Sequence, residues 1–222
     1  MIPASPSKIF GLGLSRTGTT SLHIALVLLG IPSIHYPIDA ARHWLWGRFD
    51  MDRLTDFDAC GDLPTPIYFR QLDNMYPGAK FILTTRNVDT WLDSVERHFT
   101  EAPPPSQHTL LRDFIRIATY GVCQFHRGRF RDVYLRHSDA VRRYFVDRPQ
   151  DLVELDFAAG HGWPELCAFI ERPIPTIAFP NQRSHHISPL DVVRRGELAP
   201  KQALLRKMLA QNDLAGPTGA AQ

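Results

Sequence analysis

The stretch that most constrains this chain is Lys8 to Thr20, KIFGLGLSRTGTT. The apolar residues Ile9, Phe10, Leu12 and Leu14 read as a buried strand over 8–14. It runs into a turn whose two glycines, Gly13 and Gly18, have four residues between them. From Thr17 to Leu29 the period becomes helical, with Leu22, Leu26 and Leu29 as the inner stripe, and Gly30 and Pro32 end it. A glycine-rich turn between strand and helix aims backbone N–H groups and the positive end of the helix dipole at one point, which favours an anion there. A Walker A loop would carry lysine after the second glycine, but here that residue is Thr19. The loop's one cation is Arg16, whose planar fork of donors suits phosphate or sulfonate oxygens. Thr19 and Thr20 add hydroxyl donors. The competing reading is a tight strand-to-helix turn with ordinary capping.

A second strand-to-helix passage follows at Lys80 to Thr85, where Phe81, Ile82 and Leu83 form the strand. After Arg86 a helical period begins with Val88, Trp91, Leu92 and Val95. Further strands are expected at 33–38, 57–61 and 152–157. Helices are expected at 40–50, 67–75, 108–126, 130–146, 163–170 and 190–209. Strands and helices that alternate in this way predict an α/β fold, a three-layer sandwich around a mostly parallel sheet. The 222 residues suffice for one domain, expected over 1–211, with a glycine- and alanine-rich tail at 212–222.

Composition narrows the partners. An apolar fraction of 44%, a charged fraction of 22% and a net charge of about +2 describe an ordinary globular protein. They do not describe one that coats nucleic acid. Cys60, Cys123 and Cys167 are too scattered for a zinc site or a disulfide framework, and the histidines have no metal-ligand spacing. No apolar run reaches membrane-spanning length, and the first residues lack a signal-peptide pattern, so a cytoplasmic location is expected. Nothing in the sequence fixes an oligomeric state.

Two further positions belong to the chemistry. Parallel sheets place ligands beyond the carboxyl ends of their strands, so Arg86 is expected to face the same crevice as the first loop. Ser94, on the helix that follows, would approach it across the helix–loop junction. Asp62 ends the 57–61 strand just before Pro64; it reads as a general base, a helix cap or a turn residue, and local physics favours the last two. His35, His98, His185 and His186 are the other titratable candidates.

Taken together, these segments resemble the sulfotransferase family that uses 3′-phosphoadenosine 5′-phosphosulfate. The segment Leu14-Ser15-Arg16-Thr17-Gly18-Thr19-Thr20 is similar to that family's 5′-phosphosulfate loop, and FILTTRNVDTWLDSV (81–95) is similar to its 3′-phosphate motif. The resemblance extends in outline over 8–182, is closest to a broad bacterial branch, and implies a P-loop nucleoside triphosphate hydrolase-like fold. It implies that Ser15, Arg16, Thr17, Gly18, Thr19 and Thr20 hold the 5′-phosphosulfate, that Arg86 and Ser94 hold the 3′-phosphate, and that Arg16 also acts in transfer. It also implies a small-molecule acceptor with a hydroxyl or amine, deprotonated by Asp62 once burial has raised its pKa, and no metal. The chain departs from the family in having no histidine at the Asp62 region and no late arginine–lysine–glycine segment; Arg183 is the candidate substitute for the latter. Two rival functions are a nucleotide-dependent phosphotransferase, for which Asp156 would be the magnesium ligand, and a non-catalytic nucleotide-binding protein of the same fold. Trp44, Trp46, Phe49, Phe99 and Tyr120 are candidate walls of an acceptor pocket.

Overall fold

The computed structural model describes residues 8–48, 57–100 and 109–180. Arg183, His185, His186, Phe49, the helix expected over 190–209 and the tail at 212–222 lie outside these residues. In chain order the elements are β1 (Ile9–Gly11), α1 (Thr19–Leu28), β2 (Ser33–His35), α2 (Ile38–Leu45), β3 (Ala59–Gly61), α3 (Phe69–Met75), β4 (Lys80–Thr84), α4 (Val88–Thr100), α5 (Thr109–Tyr120), α6 (Arg127–Tyr144), β5 (Leu152–Leu155) and α7 (Trp163–Phe169).

The five strands form one parallel sheet in the order β2-β3-β1-β4-β5. Each strand leads into a helix, as parallel pairing requires. Successive β1 residues face opposite ways. Phe10 packs with Phe81, Leu72 and Phe145 on one side, while Ile9 packs with Leu22, Leu26 and Trp163 on the other. Helices therefore cover both faces, with α3 and α6 against one and α1 and α7 against the other. This burial on both sides explains why the strands read as apolar runs rather than as alternating ones. At the β5 edge Glu154 is held by Arg142 through two hydrogen bonds of 2.8 and 2.7 Å.

Some boundaries differ from expectation for local reasons. A 3-10 turn (Thr65–Tyr68), with Pro66 in its first turn where a missing N–H costs nothing, precedes α3. The α6 helix begins earlier than its apolar period because His126 caps it, its Nδ1 accepting from the Arg129 N–H at 3.3 Å.

The order of the strands positions the site. The chain leaves β1 towards β2 on one side, then crosses from β3 to β4 on the other. A crevice opens beyond the carboxyl ends of strands where the winding reverses in this way, and the β1–α1 loop lies in that crevice.

Candidate functional site

The loop between β1 and α1 is shaped by contacts that only glycine permits. A Cβ on Gly13 would fall 1.8 Å from Thr84 Oγ1, so the backbone crosses directly over the end of β4. Gly18 has φ of +106° and faces the Phe157 ring. It stands at the N-cap of α1, and no side chain caps that helix. The first-turn N–H groups thus point outward with the dipole behind them, as an anion site requires.

Several loop side chains are engaged within the protein. Thr17 Oγ1 donates to Leu14 O and lies 2.7 Å from Thr84 Oγ1. Ser15 Oγ donates to Asp62 Oδ1 at 2.5 Å, and Thr19 Oγ1 donates to Asp62 Oδ2 at 3.3 Å. The Thr17 N–H is also engaged, donating to Leu14 O at 3.2 Å, whereas Arg16 is exposed. Thr20 Oγ1 lies 3.4 Å from His35 Nε2.

The second motif comes to the same place. Ser94 is buried, and its Oγ accepts from Arg16 Nε at 3.3 Å. Three residues earlier on the inner side of α4, Trp91 Nε1 donates to Ser15 O at 2.9 Å, which fixes that helix to the loop. Arg86 Nε donates to Thr90 Oγ1 at 3.1 Å, and Tyr134 holds the Arg86 backbone through both its N–H and its carbonyl. Thr90 and Ser94 are one turn apart on α4, so they present Arg86 and Arg16 along one flank of the crevice.

Asp62 lies at the end of β3 and is 6% exposed. Its carboxylate accepts from Ser15, Thr19 and the Leu63 N–H, and it lies 3.0 Å from His35 Nε2 at the end of β2. Burial pushes its pKa up, but His35 and the hydrogen bonds from Ser15 and Leu63 outweigh that, and the net shift is downward. The upward shift expected of a solitary buried base is therefore absent, because this carboxylate is not solitary. It fixes His35 with the proton on Nε2, and no described residue hydrogen-bonds His35 Nδ1. The neighbouring ring of His23 is 5.7 Å from His35; burial and His35 push the His23 pKa down to about 3, so His23 stays neutral.

Backbone strain gathers at the same place. Four described non-glycine residues have positive φ, and three of them, Arg16, Tyr36 and Asp62, follow β1, β2 and β3 around the crevice. Such conformations cost about 1 kcal/mol or more each and cluster at functional sites.

The strand-end position of His35 and of Asp62, though not their pairing, was legible in principle. The rule that placed Arg86 at a strand's carboxyl end places His35 and Asp62 at the ends of two paired strands. Of the aromatic candidates, Trp44 is core and Trp46 is 83% exposed, whereas Tyr120 and Phe99 pack together beside α5. Among the described residues no group of three or more His, Cys, Asp or Glu side chains is gathered as for a metal ion. No described helix is long and apolar enough to cross a membrane.

The fold and this loop define a class: an α/β protein with a glycine-shaped loop after its first strand and two arginines on one flank. The sulfotransferase domain model matches residues 8–186, and the chain belongs to that family; it is a sulfotransferase. It is 26% identical over 211 residues to Ava biosynthesis cluster protein M of Aspergillus versicolor, covering 78% of this chain and 80% of that protein. Its fold matches the crystal structure of a sulfotransferase from Alicyclobacillus acidocaldarius with a TM-score of 0.51 and 21% identity, over 93% of this chain and 96% of that one.

Proposed function

We propose that the β1–α1 loop binds the 5′-phosphosulfate of 3′-phosphoadenosine 5′-phosphosulfate, that Arg86 and Ser94 receive its 3′-phosphate, and that the acceptor is a small molecule with a hydroxyl or amine. The fit rests on the uncapped α1 N-terminus, the two glycines and the outward Arg16. The observation that carries the reading is the 3.3 Å contact between Arg16 and Ser94, which joins two sequence motifs into one anion-binding wall. The sheet order with this loop after β1 supports a P-loop nucleoside triphosphate hydrolase-like fold class. A fungal relative named for a biosynthesis cluster is in keeping with a small-molecule acceptor.

In this reading the donor supplies the sulfonate and leaves as 3′-phosphoadenosine 5′-phosphate. His35 Nδ1 takes the acceptor's proton as the new bond to sulfur forms. Arg16 neutralises charge on the bridging oxygen as the old bond breaks. Asp62 is a positioning residue that holds the His35 tautomer and carries the balancing negative charge. The loop's N–H groups are fixed in place before reaction, so little reorganisation is needed when charge shifts.

Calorimetry with 3′-phosphoadenosine 5′-phosphate against ADP tests the donor assignment. The expected result is a clear preference for the bisphosphate, through the contacts of Arg86 and Ser94 with its 3′-phosphate. Equal affinity for the two nucleotides would remove the donor from this site.

A further inference from the structure

The α5 helix buries Ile115 and packs Leu111 against the core, yet it leaves other apolar residues outward and turns two arginines inward. Leu110, Phe114 and Ile117 are 75%, 60% and 47% exposed, while Arg112 and Arg116, one turn apart, lie on the flank turned towards the protein. The Arg116 side chain is only 14% exposed and its guanidinium stacks over Phe99 at 4.2 Å. Arg112 Nε is buried and has no hydrogen-bond partner among the described residues. Arginine is rarely buried without a partner, because a desolvated donor left unsatisfied is costly.

These guanidiniums sit beside the reaction centre. Tyr120, at the end of α5, packs in one cluster with Leu14, Leu63 and Tyr36, the neighbours of Ser15, Asp62 and His35. Asp62, Arg112 and Arg116 all lie within electrostatic range of Tyr36. The carboxylates nearby do not balance the pair. Asp62 is committed to His35 and Ser15, and Asp113, 3.6 Å from Arg116, is the one described carboxylate that meets either arginine in an ion pair. Burial and the like charge of Arg112 pull the Arg116 pKa down, as expected where positive charge is in excess.

We infer that Arg112 and Arg116 form a second oxyanion site, distinct from the donor's, and that the acceptor carries a carboxylate or phosphate which this pair grips while its nucleophile faces His35. The inference rests on the β1–α1 loop being the donor site. An anionic acceptor would fill the orphaned Arg112 Nε and offset the excess charge, while Tyr36 and Phe99 flank its body.

The test titrates benzoate, phenyl phosphate and neutral benzamide into the protein, with and without saturating 3′-phosphoadenosine 5′-phosphate. At least one of the two anions should bind about tenfold more tightly than benzamide, the size expected of a charge-assisted pair of hydrogen bonds. The tighter of the two distinguishes a carboxylate from a phosphate. Arg112→Gln with Arg116→Gln should erase that preference while bisphosphate affinity stays unchanged. Arg112→Lys with Arg116→Lys should keep part of it, and Asp113→Asn, which removes the competing carboxylate, should strengthen it. Anions that bind no better than benzamide, or a preference that survives the glutamine pair, would overturn the inference. A glutamine pair that loses the bisphosphate would overturn it too, by assigning these arginines to the donor. Failure of the unmutated protein to bind the bisphosphate, with anion preference intact, would instead count against the donor assignment.

Discussion

Replacing Asp62 with asparagine keeps the shape of the site and removes its charge, so the outcome follows from the hydrogen bonds. The carboxylate accepts at Oδ1 from Ser15 and Leu63 N, and an amide oxygen there accepts both still. Each bond loses its ionic share, about 1 kcal/mol apiece. The amide NH2 then faces His35 Nε2, which must give up its proton and accept instead. That exchange loses the ion-paired contact at 3.0 Å, about another 1–2 kcal/mol. Relief of the burial penalty on the charge offsets part of this, leaving Asp62→Asn less stable by about 2–3 kcal/mol. The proton moves to His35 Nδ1, the atom meant to receive it. Turnover should therefore fall by about 10³–10⁴-fold, as a carboxylate-to-amide change behind a catalytic histidine does elsewhere. Bisphosphate affinity should hold within a few-fold.

The pH dependence follows from the sign of the shift. The folded pKa of Asp62 lies below the ordinary 3.8, so its stabilising contribution is complete above that value and is lost as pH falls through the folded pKa. Urea melts at pH 7 should show the full gap between the two proteins, and melts near pH 3 a narrower one. Nitrogen NMR of His35 reads the tautomer directly. Equal stability at pH 7, a gap that widens in acid, or an unchanged tautomer with normal turnover would refute the reasoning.

Three other substitutions separate the parts of the site. Arg16→Ala should lower kcat far more than it weakens bisphosphate binding, whereas Arg86→Ala should weaken the bisphosphate about tenfold or more and leave ADP nearly unchanged; calorimetry with single-turnover rates checks both. Gly18→Ala places a Cβ 2.7 Å from Phe157 at φ of +106°, and should cost about 1–3 kcal/mol in a denaturant melt as well as most nucleotide affinity.

The sheet and the geometry of the candidate anion cradle were readable because each leaves a local mark. Buried strands are apolar runs, and the cradle needs Gly13 and Gly18 at fixed places. Arg86 and Ser94 were readable because both lie beside one strand end. The partnership of His35 with Asp62 was not, since it depends on β2 lying against β3, and nothing local in either segment announces that pairing. The inward arginines of α5 were hidden for a related reason. An amphipathic period shows two faces, and the usual rule assigns the charged one to water, whereas here Arg112 and Arg116 take the protein side. The acid strength of Asp62 was misjudged from burial alone, because the donors that reverse it come from Ser15 and His35, both far away in sequence.

The strand register has a consequence for how the site comes into being. Ile9 pairs with Ala59 and Lys80, and Phe81 pairs with Leu152, so none of these pairings is a hairpin between adjacent segments. Chains whose contacts are this remote in sequence close large loops before contacts reward them, and they fold slowly. The β1–α1 loop is made before Thr84, Trp91 and Phe157, which brace it. A peptide spanning that loop alone would carry every residue of the cradle and hold none of them in place. Anion binding should therefore appear during refolding only with the last, slow phase, when β4 and β5 join the sheet.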